Sequence, residues 1–149
     1  MSEEKNQRHQ LTISSSQRYL KKVVDFVENL VQKFGFDEDA VVDIAISVSE
    51  AVNNAILHGN KEDEKKKVHI LVETGERQVT IRIRDEGVCF SPNGVCSPLE
   101  PENLMKCNGR GIFILRALMD EVSYHAAPGG GTEVKLIKRL KGVRAKTKK

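Results

Sequence analysis

No apolar run in this 149-residue sequence approaches the roughly 18–20 residues that a membrane-spanning helix needs, and residues 1–10 are charged and polar without the apolar stretch of a signal peptide. A soluble, cytoplasmic protein with no membrane association is expected. Cysteine is scarce as well: Cys89, Cys96 and Cys107 are odd in number and spaced by seven and eleven, which fits neither a paired disulfide set nor a CxxC metal clamp. Free thiols in a reducing compartment are the expected state. The GxxxxGK[ST] phosphate loop is missing, and so is a complete dinucleotide fingerprint. No segment repeats another.

Acidic residues are absent from one end. Residues 138–149 hold seven Lys and Arg side chains and no Asp or Glu, and subtracting these seven charges from the net +3 leaves residues 1–137 at −4. The sequence pI of 8.8 is therefore a property of the tail. Direct, specific nucleic-acid binding by the folded body is not expected, although a basic tail can add weak attraction to acidic partners. An apolar fraction of 39% over this length supports one core, hence one domain.

Within that domain, residues 9–13 alternate and suggest a first strand, followed by Ser14, Ser15 and Ser16 as helix-cap candidates. Leu20, Val23, Val24, Val27, Leu30, Val31 and Phe34 recur at spacings of three and four, and Gly35 closes that helix. Asp37 opens a second helix whose stripe runs from Val41 through Ile44, Val48 and Val52 to Ile56, ending at Gly59. Two alternating runs, 68–73 and 78–84, read as a hairpin with a connection at 74–77 around Gly75. Residues 85–108 lack a regular period and carry Gly87, Pro92, Gly94, Pro98 and Pro101; a connection of that length is uncommon unless it has a function. A third helix over 110–120, a strand over 122–126 and a last strand over 132–137 complete the pattern.

Four short segments carry polar groups that could do chemistry. On the second helix Glu50 and Asn54 lie one turn apart, about 40° around the axis, on the side away from the apolar stripe. An amide oxygen beside a carboxylate can hold Mg²⁺ with its waters and deprotonate a nucleophile; two solvated polar residues look the same in sequence. His58, near the end of that helix, is suited to capping its carbonyls. The second segment is Asp85-Glu86-Gly87 after an alternating run, either an ordinary turn or a carboxylate able to accept from an exocyclic amine, with Gly87 allowing close approach of a flat ring. The third is Asn108-Gly109-Arg110-Gly111 at a helix start, where free N–H groups and the dipole favour phosphate. The fourth, Gly129-Gly130-Gly131-Thr132, is most simply a hairpin turn.

In order and spacing, these four segments resemble the nucleotide-binding boxes of the GHKL (histidine-kinase-like) ATPase superfamily, and in wording they resemble the bacterial anti-sigma-factor serine/threonine kinases. Glu50, Asn54, His58 and Gly59 look like the N box, Asp85-Glu86-Gly87 like the next box, Gly109-Arg110-Gly111 like the glycine pair closing the ATP lid, and Gly131-Thr132 like the terminal Gly-Thr. The likeness spans residues 10–138, leaving 1–9 as a flexible N-terminus and 139–149 as a flexible basic tail, with 89–108 as the lid. It implies a two-layer α/β sandwich, a mixed and mostly antiparallel sheet with helices on one face.

By the same resemblance Glu50 would be the general base toward a serine of an anti-anti-sigma (STAS-type) protein, and Asn54 would hold Mg²⁺. Asp85 would accept from the adenine amine of ATP, while Gly87, Gly109, Gly111, Thr132, His58, Lys106 and Arg110 would frame the nucleotide. A sigma factor is the implied second partner, and homodimerisation the implied assembly. Sensor histidine kinases share the boxes but need a preceding dimerisation module, for which the residues before Glu50 leave no room. The sequence departs from the pattern where a second glycine is common and Cys89 stands, and where some members carry arginine and Cys107 stands. A kinase-inactive nucleotide-binding or partner-binding module is the alternative reading.

Overall fold

Alternation, strictest over residues 67–74 and 78–84, lets a sheet bury one face, and the helical stripes supply what covers it. The computed structural model describes residues 6–87, 111–127 and 130–140. Five strands, β1 (Gln7–Ser14), β2 (Lys67–Gly75), β3 (Gln78–Arg84), β4 (Glu121–Ala126) and β5 (Thr132–Arg139), form one sheet in the order β1-β2-β3-β5-β4, and every neighbouring pair is antiparallel. Among the described residues three α-helices, α1 (Leu20–Phe34), α2 (Glu38–Asn54) and α3 (Gly111–Leu118), lie together, with α2 touching both of the others.

The core sits between these layers. Val68, Ile70 and Val72 of β2, Val79, Ile81 and Ile83 of β3, and Val134 and Leu136 of β5 point inward against Val23, Val27 and Val31 of α1 and Ile44, Val48 and Val52 of α2. Each such side chain contributes about 1.5–3 kcal/mol on burial. The helical run Glu38–Gly59 is long and apolar enough to cross a bilayer by length and composition, but 56% of its most apolar window is buried within the protein, as befits a core helix.

Caps define the helix starts. Asp37 accepts from the Ala40 N–H at 2.8 Å, and Gly35, at φ 118°, closes α1 in the left-handed region. Of the three serines proposed as caps, Ser16 serves: its Oγ accepts from the Arg18 N–H, opening a 3₁₀ turn, Gln17–Tyr19, that leads into α1.

The structure corrects several expected boundaries. Thr74 and Gly75 belong to the ladder, Gly75 opposite Gln78, so the hairpin turn shrinks to Glu76 and Arg77 at φ 53° and 63°. Two left-handed residues match the twist of the flanking strands. At the N-terminus, Gln7, Arg8 and His9 belong to β1, where they pair with Thr74, Glu73 and Val72. At the other end β5 runs through Arg139, opposite Gln78, and Leu140 donates its N–H to Arg77 O at 3.0 Å. Lys138, counted with the basic tail, is buried, its ammonium donating to Leu118 O at 2.5 Å and lying 3.4 Å from Asp43 Oδ2. It ties the end of α3 to α2.

One further difference concerns α2, expected as a single α-helix to Gly59. After Asn54 the helix widens into a π turn, Ala55–Gly59, closed by Asn60 N–H to Ala55 O at 2.8 Å and Glu62 N–H to Ile56 O at 2.7 Å.

Ser47, fully buried on α2, is the buried side-chain polar atom that finds no partner among the described residues. Ser47→Ala removes this unpaired hydroxyl and favours the helix, and is expected to stabilise the fold by about 1 kcal/mol. Urea unfolding midpoints of the two proteins check this; an unchanged or lower midpoint contradicts it.

Candidate functional site

Because β5 inserts between β3 and β4, the C-terminal end of β3 lies beside the start of β5. Asp85, the first residue past β3, meets Thr132 there. Its N–H donates to Thr132 O at 3.0 Å, and its carboxylate Oδ1 accepts from the N–H groups of Thr132 at 3.1 Å and Gly87 at 3.0 Å. The other oxygen, Oδ2, has no hydrogen-bond partner among the described residues. Asp85 as a whole is 7% exposed.

Three glycines make room for it. A Cβ on Gly59 would stand 2.1 Å from Asp85 Oδ2, one on Gly131 would stand 2.3 Å from Asp85 O, and one on Gly87 would stand 1.9 Å from Gly59 O. Gly59 therefore does more than end a helix: the π turn brings its backbone against the carboxylate, and only a residue without a side chain fits. Burial pushes the Asp85 carboxyl above its ordinary value, against the N–H bonds from Gly87 and Thr132 and the charges of Lys66 and Arg84.

Glu86, beside it, is exposed and clasped from three directions. Its N–H donates to Asn60 Oδ1 at 2.7 Å, its Oε1 accepts from the Lys67 N–H at 3.0 Å, and its Oε2 lies 2.7 Å from His69 Nε2. The bonds from His69 and Lys67 hold this carboxyl below its usual range.

Glu50 and Asn54 are half-buried on α2, one turn apart as expected, on the helix whose end packs against Asp85. Tyr124, on the inward face of β4, has its phenol pushed up to about 12, first by burial, with Arg116 opposing and Glu50 adding to the shift. The charges of Glu50 and Arg116 thus both reach this half-buried phenol. His58 is exposed on the π turn, and the N–H groups that close this turn are those of Asn60 and Glu62.

The structure brings together Asp85, Gly87 and Thr132 with Gly59 and Gly131. Gly111 starts α3. Lys106, Gly109 and Arg110, and the proposed lid 89–108 with Cys89 and Cys107, lie outside the described residues. Sequence reasoning missed Asn60, Tyr124 and Arg116; an Asn directly after a helix-ending glycine was the one visible signal among them.

A two-layer α/β sandwich thus holds a carboxylate framed by glycines at the end of a central strand, a setting that suits a flat ligand carrying a hydrogen-bond donor. Residues 13–138 match the histidine kinase-like ATPase domain family, and the chain belongs to it. It is 38% identical over 106 residues to the anti-sigma F factor of Bacillus subtilis, covering 68% of this chain and 71% of that protein. It is 30% identical over 127 residues to the serine-protein kinase RsbW of Staphylococcus aureus, covering 80% of each. Its fold matches a crystal structure of the RsbU and RsbW domains of a Mycobacterium tuberculosis protein with a TM-score of 0.65 at 19% identity, over 90% of this chain and 32% of that one. The chain spans about a third of that longer protein, and the likeness establishes the shared fold.

The raised Asp85 value has a pH signature. Its protonated form is favoured by folding, so its stabilising contribution is complete below the unfolded value of 3.8 and is lost as pH rises through the higher folded value. Asp85→Asn, uncharged throughout, is expected to melt above the native protein at pH 7, with the gap closing as pH falls toward 4. Thermal melts across that range check the sign; a gap that widens on acidification refutes it.

Proposed function

We propose that this protein is an ATP-dependent serine kinase that acts as an anti-sigma factor, phosphorylating an anti-anti-sigma protein and sequestering a sigma factor in a partner-switching circuit. The observation that carries the reading is the buried Asp85 carboxylate, with Oδ1 saturated by two backbone N–H groups and Oδ2 open, in a setting where glycines leave no Cβ in the way. An acceptor with no donor beside it suits the exocyclic amine of adenine. The relatives named for anti-sigma and serine-kinase activity support the choice of partners.

The donor set also fits magnesium. Among the described residues no group of three or more His, Cys, Asp and Glu could hold a metal alone. Magnesium bound with nucleotide needs little from the protein beyond one or two oxygens, and the Asn54 amide supplies one. Bound ATP would supply the phosphoryl group, and Mg²⁺ the positive charge that offsets it. Glu50 would take the proton of the serine hydroxyl as that oxygen attacks the terminal phosphorus, while the bond from this phosphorus to the β–γ bridging oxygen breaks and ADP leaves. Thr132, Gly87, His58, Gly109, Gly111, Arg110 and Lys106 complete the frame around the nucleotide in this reading. The protein works in the cytoplasm as a homodimer, for which light scattering of the purified chain is the direct check.

Three substitutions separate the roles. Glu50→Gln is expected to cut phosphate transfer to the anti-anti-sigma protein by about 10²–10⁴-fold while leaving ATP affinity nearly unchanged. Asn54→Ala is expected to weaken ATP binding with magnesium present and to leave metal-free binding alone. Asp85→Asn turns an N–H toward the adenine amine and is expected to weaken ATP binding by about 100-fold. Calorimetric titration and single-turnover transfer measure all three. Transfer that persists in Glu50→Gln removes Glu50 as the base, and failure of the native protein to bind ATP leaves a partner-binding module in place of a kinase.

A further inference from the structure

Asn60 is 1% exposed, and every hydrogen-bonding group of its side chain is engaged. Its Nδ2 donates to Ser15 Oγ at 2.6 Å and to Lys67 O at 2.9 Å, and its Oδ1 accepts the Glu86 N–H at 2.7 Å. Ser15, equally buried, donates its own hydroxyl to Lys66 O at 3.0 Å. One amide thus joins the end of β1, the start of β2, the π turn of α2 and the turn that follows β3.

The bond to Glu86 matters most, because the Glu86 N–H belongs to the peptide unit joining Asp85 to Glu86. Fixing that plane fixes ψ of Asp85 and the path by which the chain returns the Gly87 N–H to Asp85 Oδ1, the bond that orients the carboxylate. The backbone around Asn60 is itself held at some cost: Lys61 and Glu62 follow at φ 52° and 60°, left-handed values for residues with side chains, kept there by Glu62 N–H to Ile56 O and Asp63 N–H to Asn60 O at 3.0 Å. A turn so constrained presents the Asn60 amide in one orientation.

We propose that Asn60 is the positioning residue for base recognition: through the Asp85–Glu86 peptide it aims Asp85 Oδ2, and so sets the preference for a base carrying an exocyclic amine. This inference rests on the reading of Asp85 as the adenine acceptor. Aspartate at position 60 would lack both donors, and glutamine would carry the amide one methylene too far.

The test compares binding of ATP with that of inosine triphosphate, which differs by a carbonyl in place of the amine and would set an acceptor against Oδ2. The native protein is expected to prefer ATP by about 100-fold. In Asn60→Ala the ATP to inosine triphosphate ratio is expected to fall at least about tenfold, through weaker ATP binding with inosine triphosphate affinity unchanged. Equal weakening of both nucleotides, with the ratio kept, overturns the proposal and leaves Asn60 a structural residue. If circular dichroism shows Asn60→Ala unfolded, Ser15→Ala, which frees one anchor of the same amide, carries the test: a ratio reduced by about threefold or more supports the proposal, and an unchanged ratio overturns it. A native protein that binds ATP and inosine triphosphate alike defeats the acceptor reading itself, an outcome separate from a change seen only in the variants.

Discussion

A carboxylate taken out of water must be compensated, and the arrangement of this fold follows from how Asp85 is compensated. Two backbone N–H groups converge on one oxygen, and they come from segments far apart in sequence, Gly87 just beyond β3 and Thr132 at the start of β5. That convergence requires the two strands to be neighbours, which is what the insertion of β5 between β3 and β4 accomplishes. The second oxygen stays uncompensated by the described residues. Burial of the carboxyl as a whole outweighs the two N–H bonds and raises it above its ordinary value.

Around that group the local chemistry is divided by role. Glycines provide space, Asn60 provides aim, and Glu86 with His69 fastens the turn to β2. Glu50 and Asn54 stand on the helix leading into the π turn, so the groups proposed for proton transfer and magnesium share a rigid element with the group that approaches Asp85. Sites built on rigid elements keep their geometry better than sites carried by loops.

Periodicity made most of the framework readable in advance. The stripes of α1 and α2 and the alternation of β2 and β3 each repeat within a few residues, so a short window holds the whole signal, and the burial pattern follows it. Asp85, Gly87 and Thr132 were legible as ordered motifs. Asn60 was not, because its partners lie 45 residues away at Ser15 and 26 away at Glu86, and no local window contains them. The burial of Lys138 was hidden for a related reason: beside the charged segment that follows it, it reads as one more tail residue, and only the packing of α2 and α3 gives its ammonium acceptors. The π turn was illegible because widening a helix by one residue per turn barely disturbs an apolar stripe only one turn long.

That π turn bears on what kinds of change the chain can absorb. Its extra residue sets the angular phase at which Gly59 and Asn60 leave the helix. Loss or gain of a single residue between positions 55 and 59 would rotate everything after it by about 100° and shift it by about 1.5 Å along the axis. Gly59 would then turn away from Asp85, and Asn60 from the peptide it holds, even if every side chain on the helix were preserved. Gly59 apart, length in this segment is guarded more strictly than identity, and natural variation at residues 55–58 should take the form of substitutions while insertions and deletions gather elsewhere.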